Sequence, residues 1–171
     1  MSRSKKLIVT ALFLIGACIL LYPAVSNKLA ERHQAEMISR YEQTVEELPK
    51  TDMKSEWEKA VKYNESVTGM SVEDPFILGS GSVLPGNYKD VLNVEEKEGV
   101  MGYIEIPAID VMLPIYHGVS ERVLRRGVGH METTALPIGG KGTHSVLASH
   151  RGLSTAKLFT DLDRMKEGDL F

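Results

Sequence analysis

Residues 102–118 read GYIEIPAIDVMLPIYHG, and the spacing of their apolar side chains decides the fold. Tyr103 to Ile106 alternate, Pro107-Ala108 interrupts, and Ile109, Val111, Leu113 and Ile115 recur at every second position. Period two is the mark of a strand with one buried face, so the stretch predicts a β-hairpin. Pro114 cannot donate to a ladder and predicts an edge or a distorted end. Downstream, Ser120 can cap a short helix through Leu124 that Gly127 ends. A strand over 145–149 then runs into His150-Arg151-Gly152. Ser154 predicts a further helix in which Leu158, Leu162 and Met165 share a face, closed by Gly168, and 169–171 predict the start of another strand.

Upstream, the chain is helical in character. Leu7 to Val25 is nineteen residues without a charge, preceded by Arg3, Lys5 and Lys6. As a helix it spans roughly 28 Å, close to the hydrocarbon core of a bilayer. The stretch exceeds the usual core of a cleaved signal peptide, so an uncleaved anchor is expected, with the basic N-terminus cytoplasmic and the rest outside. Ile38, Tyr41, Val45 and Leu48 form an apolar stripe that Pro49 stops. Met53, Trp57 and Val61 form a second stripe after Thr51 or Asp52, predicting two short stalk helices that pack on a following domain. Residues 68–93 are rich in Gly, Ser, Pro and Asn and read as a long loop of the kind used as a lid or linker. The expected organisation is therefore a basic segment and anchor (1–26, span 7–25), a stalk (27–67), a loop (68–93) and the front of a β domain (94–171).

Composition narrows the function. Of 171 residues, 43% are hydrophobic and 25% charged, which is globular rather than disordered. A net charge of −3 argues against a nucleic-acid binder. The single cysteine, Cys18, lies mid-span, where a thiol is shielded and protonated rather than nucleophilic.

Several motifs fail on spacing. Gly79-Ser80-Gly81-Ser82 is no nucleophile elbow, and Gly127 and Gly129 lack the third glycine of a dinucleotide loop. His117, His130, His144 and His150 match no recognised metal-ligand spacing. Leu136-Pro137-Ile138-Gly139-Gly140 lacks the threonine of a Leu-Pro-x-Thr-Gly signal and reads as a turn. His150, at the end of a strand, is placed to move a proton near neutrality, but Ser149 beside it points to the opposite face. The residues alone leave half a site.

Two stretches complete the reading: the hairpin at 102–118, and LRRGVGHMETTALPIGGKGTHSVLASHRGLSTAKLFTDLDRMKEGDLF at 124–171. Together with Asp74-Pro75-Phe76 in the long loop, they resemble the front half of a class C, pilin-polymerising sortase of Gram-positive bacteria. The resemblance implies a mainly β fold, an incomplete sortase-type β-barrel preceded by the membrane helix and stalk. It implies a cysteine transpeptidase that cleaves a Leu-Pro-x-Thr-Gly-like signal through a thioester and joins pilin subunits through a lysine. On it, His150 is the catalytic histidine and Asp74, Pro75 and Phe76 belong to the lid. The family's catalytic cysteine and arginine fall beyond the matched strands and have no counterpart in the 171 residues, so the chain as given is expected to be an inactive fragment. The implied partners are pilins or surface proteins bearing a sorting signal, and the membrane; no cofactor is implied. The contrasting expectation is a membrane-tethered module that binds without cutting.

Overall fold

The computed structural model describes residues 2–69, 86–94 and 99–171. Asp74, Pro75 and Phe76 lie outside the described residues. The candidate anchor and the first stalk helix form one unbroken helix, α1 (Arg3–Glu47), which Ser2 caps and which continues through Pro23. Pro49 forces the chain out of helix, as its fixed φ and missing N–H require, and then stands as the N-cap of α2 (Lys50–Val67).

The face α2 buries differs from the one the stripe suggested. Met53, Trp57 and Val61 are exposed, and Ala60, Tyr63, Asn64 and Val67 enter the core. Asn64 explains the choice. Its amide donates to the Leu136 carbonyl at 3.2 Å and accepts from the Leu136 N–H at 2.7 Å, replacing two backbone partners inside the core. The Tyr63 hydroxyl donates to the Glu132 carbonyl on the same segment.

The hairpin forms as expected. Strand β1 (Val100–Ile106) pairs antiparallel with β2 (Val111–His117), with Ile109, Val111, Leu113 and Ile115 all buried. Pro114, however, is fully buried on a central strand, not an edge. The distortion it predicted is present beside it, as a break in register between Val100 and Gly102 opposite Tyr116 and Ile115. Beyond Gly118 the chain crosses over through α3 (Glu121–Leu124), where the Ser120 hydroxyl accepts from the Val123 N–H, to β3 (Val128–His130), parallel to β2. Gly127 and Gly129 permit this approach: a Cβ there would meet the Pro114 and Gly118 carbonyl oxygens at 2.6 and 2.4 Å. Strand β4 (Leu147–Ala148) closes the order β1-β2-β3-β4.

Three expectations fail here. About half of the described residues are helical, so the fold is mixed rather than mainly β, and the four strands form a sheet with no closed barrel among the described residues. Nor do residues 154–168 form a helix. Leu158 is buried with φ 43°, and the Phe159 N–H bonds to the His150 carbonyl at 3.1 Å rather than to a preceding turn. Burying Leu158 and Phe159 against the sheet overrides the helical periodicity, leaving turns and a short 3-10 helix at Leu162–Arg164. Residues 169–171 follow a turn closed by the Lys166 N–H on the Asp169 carboxylate and form no strand.

Candidate active site

His150 follows β4 by two residues, and its backbone is fixed on both sides. The Ser149 hydroxyl donates to the Gly127 carbonyl at 2.7 Å, while the His150 carbonyl accepts from Phe159. Ser149 is thereby committed to the sheet, in keeping with the alternation that turned it away from the histidine. The following turn is tied by the Gly152 N–H on the Thr160 hydroxyl at 3.2 Å and by Arg151 with Asp163 at 2.9 Å.

The imidazole packs against α3. Its side chain is 30% exposed, yet Nε2 is fully buried, 3.3 Å from Oε2 of Glu121 without the alignment of a hydrogen bond. Glu121 in turn accepts from Arg125 Nε at 2.7 Å. That bond above all, and then the imidazole, holds the Glu121 carboxyl below the usual carboxylate range. Glu121 was not singled out from sequence; its only signal is an acidic residue next to an N-cap serine. A half-exposed imidazole beside a carboxylate on rigid backbone can hold, give and take a proton. It still needs a nucleophile. Cys18 lies exposed within the apolar part of α1.

Two other histidines serve the fold. His117 and His130 are register partners on β2 and β3. His130 has no solvent exposure; its Nε2 donates to the Ala135 carbonyl at 2.9 Å, and its Nδ1 lies 3.0 Å from the Tyr88 hydroxyl, which also accepts from the Gly118 N–H. The Ala135 carbonyl fixes the proton on Nε2, so Nδ1 can only accept, and it shares the Tyr88 hydroxyl proton with the His130 carbonyl, which is 3.1 Å from that hydroxyl. Burial, reinforced by the nearby His117, pushes the His130 imidazole down to about 4 despite the favourable Ala135 bond. His117 Nε2 is 2.8 Å from the Val91 carbonyl. Among the described residues, no three His, Cys, Asp or Glu side chains are grouped to hold a metal ion. A hollow of about 980 Å³, mostly apolar, runs between α1, α2 and the sheet past Tyr41, Trp57, Tyr103 and Leu147, and His150 does not line it.

A sortase-domain family description matches residues 104–171, from β1 to the histidine turn and beyond. The crystal structure of sortase C1 from Streptococcus agalactiae superposes with a TM-score of 0.66 at 37% identity, over 78% of this chain and 67% of that one. The chain belongs to the sortase family. Class C members recur among its structural neighbours: sortase C of Streptococcus pneumoniae matches at 39% identity and a TM-score of 0.67, over 78% of this chain and 65% of that one. Sortase A of Listeria monocytogenes is 28% identical over 96% of this chain and 65% of its own length. This sortase thus spans about 65% of the length of the curated relatives it matches. Its N-terminal apolar helix is a candidate membrane anchor, as a tethered sortase would carry.

Proposed function

We propose that this chain belongs to a class C-type transpeptidase in which His150 is the general acid and base. The supporting observation is the placement of His150: a half-exposed imidazole on fixed backbone at the exit of β4, in a chain 37% identical to a sortase C1. In the proposed cycle a cysteine thiolate attacks the Thr–Gly carbonyl of a Leu-Pro-x-Thr-Gly-like signal. The imidazolium protonates the departing glycine amine, a thioester remains, and the neutral imidazole then takes a proton from the incoming lysine amine as the new amide forms. The acceptor is a lysine on the next pilin subunit, in keeping with the pilin substrate specificity of the S. pneumoniae relative. Asp74, Pro75 and Phe76 form the lid in this proposal. The basic residues Arg3, Lys5 and Lys6 stay cytoplasmic, and the sheet lies outside the membrane, where the substrates are.

Cys18, the single cysteine of these 171 residues, lies in the apolar window of α1, so these residues alone are expected not to cleave a sorting peptide. The test joins it to the remaining third of the S. agalactiae sortase C1 and follows cleavage of a quenched Leu-Pro-x-Thr-Gly peptide. Cleavage by the fusion that His150→Ala abolishes is the expected result. Undiminished cleavage in the His150→Ala fusion, or cleavage by the unfused chain, rejects the proposal.

A further inference from the structure

The carboxylate beside His150 has no part in the cycle just described. Nε2 of His150 is out of contact with solvent and forms no hydrogen bond in its present alignment; the charged group it faces is Glu121, at 3.3 Å. A buried ring nitrogen is costly to leave unpaired, and a carboxylate can only accept. The nitrogen that faces it is therefore best occupied by a proton. We propose that Glu121 is a positioning residue that keeps the neutral His150 proton on Nε2, leaving Nδ1 as the nitrogen that exchanges protons. This rests on the reading of His150 as the acid–base residue.

The surroundings suit such a role. Glu121 sits in the first turn of α3, where the Ser120 cap fixes the start of the helix. Leu124 is buried, and its side chain lies so close to Gly129 that a Cβ there would meet it at 3.2 Å, which pins α3 to β3. Arg125 holds the carboxylate from the far side at 2.7 Å. The carboxylate is thus braced by its own helix, while the His150 backbone is braced by Ser149 and Phe159. Neither partner depends on the other for its place, so the short approach between them is built in by the fold. The tautomer of an imidazole is set by what its nitrogens face, and a ring with a fixed tautomer presents one defined nitrogen to its reaction partner.

Tautomers can be read without turnover. The whole chain, labelled with ¹⁵N-histidine and held in detergent micelles, gives long-range ¹H–¹⁵N spectra in which protonated and unprotonated ring nitrogens are well separated. His150 is assigned by loss of its signals in His150→Gln. At a pH where the ring is neutral, wild type is expected to show a proton-bearing Nε2. The ratio of the Nε2–H to the Nδ1–H form should fall about two- to fivefold in Glu121→Ala, the scale of one partly exposed hydrogen bond. Glu121→Gln keeps an acceptor and should fall less. Should alanine loosen α3, as its amide signals would report, glutamine decides, because it preserves the volume and the capped turn. His150 ring signals identical to wild type in Glu121→Gln and, with α3 intact, in Glu121→Ala overturn the proposal. That result would leave the acid–base role of His150 untouched, since the peptide assay tests it separately.

Discussion

His130 shows what a single buried titratable group does to this fold. Its folded-state value of about 4 lies below the ordinary 6.5, because burial penalises the charged ring. The unfolded chain takes up the proton first as pH falls, so it binds more protons than the folded chain between those values. The contribution of His130 is fully present above about pH 6.5 and is lost as pH falls towards 4. It amounts to about 3 kcal/mol in all, roughly 1.4 kcal/mol per pH unit. Urea midpoints measured from pH 7 to pH 4.5 should fall steeply for wild type. The slope should be shallower for His130→Gln, which is less stable at pH 7 but carries no titrating ring. Parallel slopes would show that another group governs the acid limb. None of this was legible in the sequence. His130 and His150 both follow short apolar runs, and only the partners in space separate them: the Tyr88 hydroxyl and Ala135 carbonyl in one case, a carboxylate at a half-exposed edge in the other.

Elements were readable where local spacing and packing agree. The hairpin and the Ser120-capped helix appear where alternation and capping chemistry placed them, because strand register and N-caps are local. The failures share a cause. The apolar spacing of Leu158, Leu162 and Met165 is helical, but Leu158 and Phe159 are drawn into the sheet core from a turn. In α2 the visible stripe, with Trp57 53% exposed, loses to a face defined by a polar residue. That face is testable. Asn64→Leu keeps the volume and removes both bonds to Leu136, leaving a buried donor and acceptor unpaired. A loss of about 2–4 kcal/mol is expected in chemical denaturation. Asn64→Asp, which keeps the acceptor, should protect the Leu136 amide from hydrogen exchange better than Asn64→Leu does. A leucine variant as stable as wild type would show that α2 is held by Tyr63 and Val67 alone.

At the scale of the whole molecule, α1 is shared between two environments. Its hydrophobic window contributes nothing to the packed interior, whereas Gln34, Met37 and Ile38 are buried, with Gln34 donating to the Arg126 carbonyl at 3.1 Å and the Tyr41 hydroxyl to the Met101 carbonyl at 3.2 Å. The helix leaves the apolar stretch and meets the sheet without a break, so the boundary between the candidate anchor and the part that joins the core is fixed by burial alone. Removal of residues 1–26 should therefore move the protein from the membrane pellet to the supernatant while leaving its thermal midpoint within a degree or two. Removal of residues 1–40 takes out Met37 and Ile38 as well. Each buries a full apolar side chain worth roughly 1.5–3 kcal/mol. That loss, with the Gln34 bond, approaches the whole stability of a small domain, so the shorter chain should unfold or aggregate. A midpoint that drops substantially on removal of 1–26 would mean that the apolar segment also supports the sheet, and that anchor and domain cannot be separated as the burial pattern indicates.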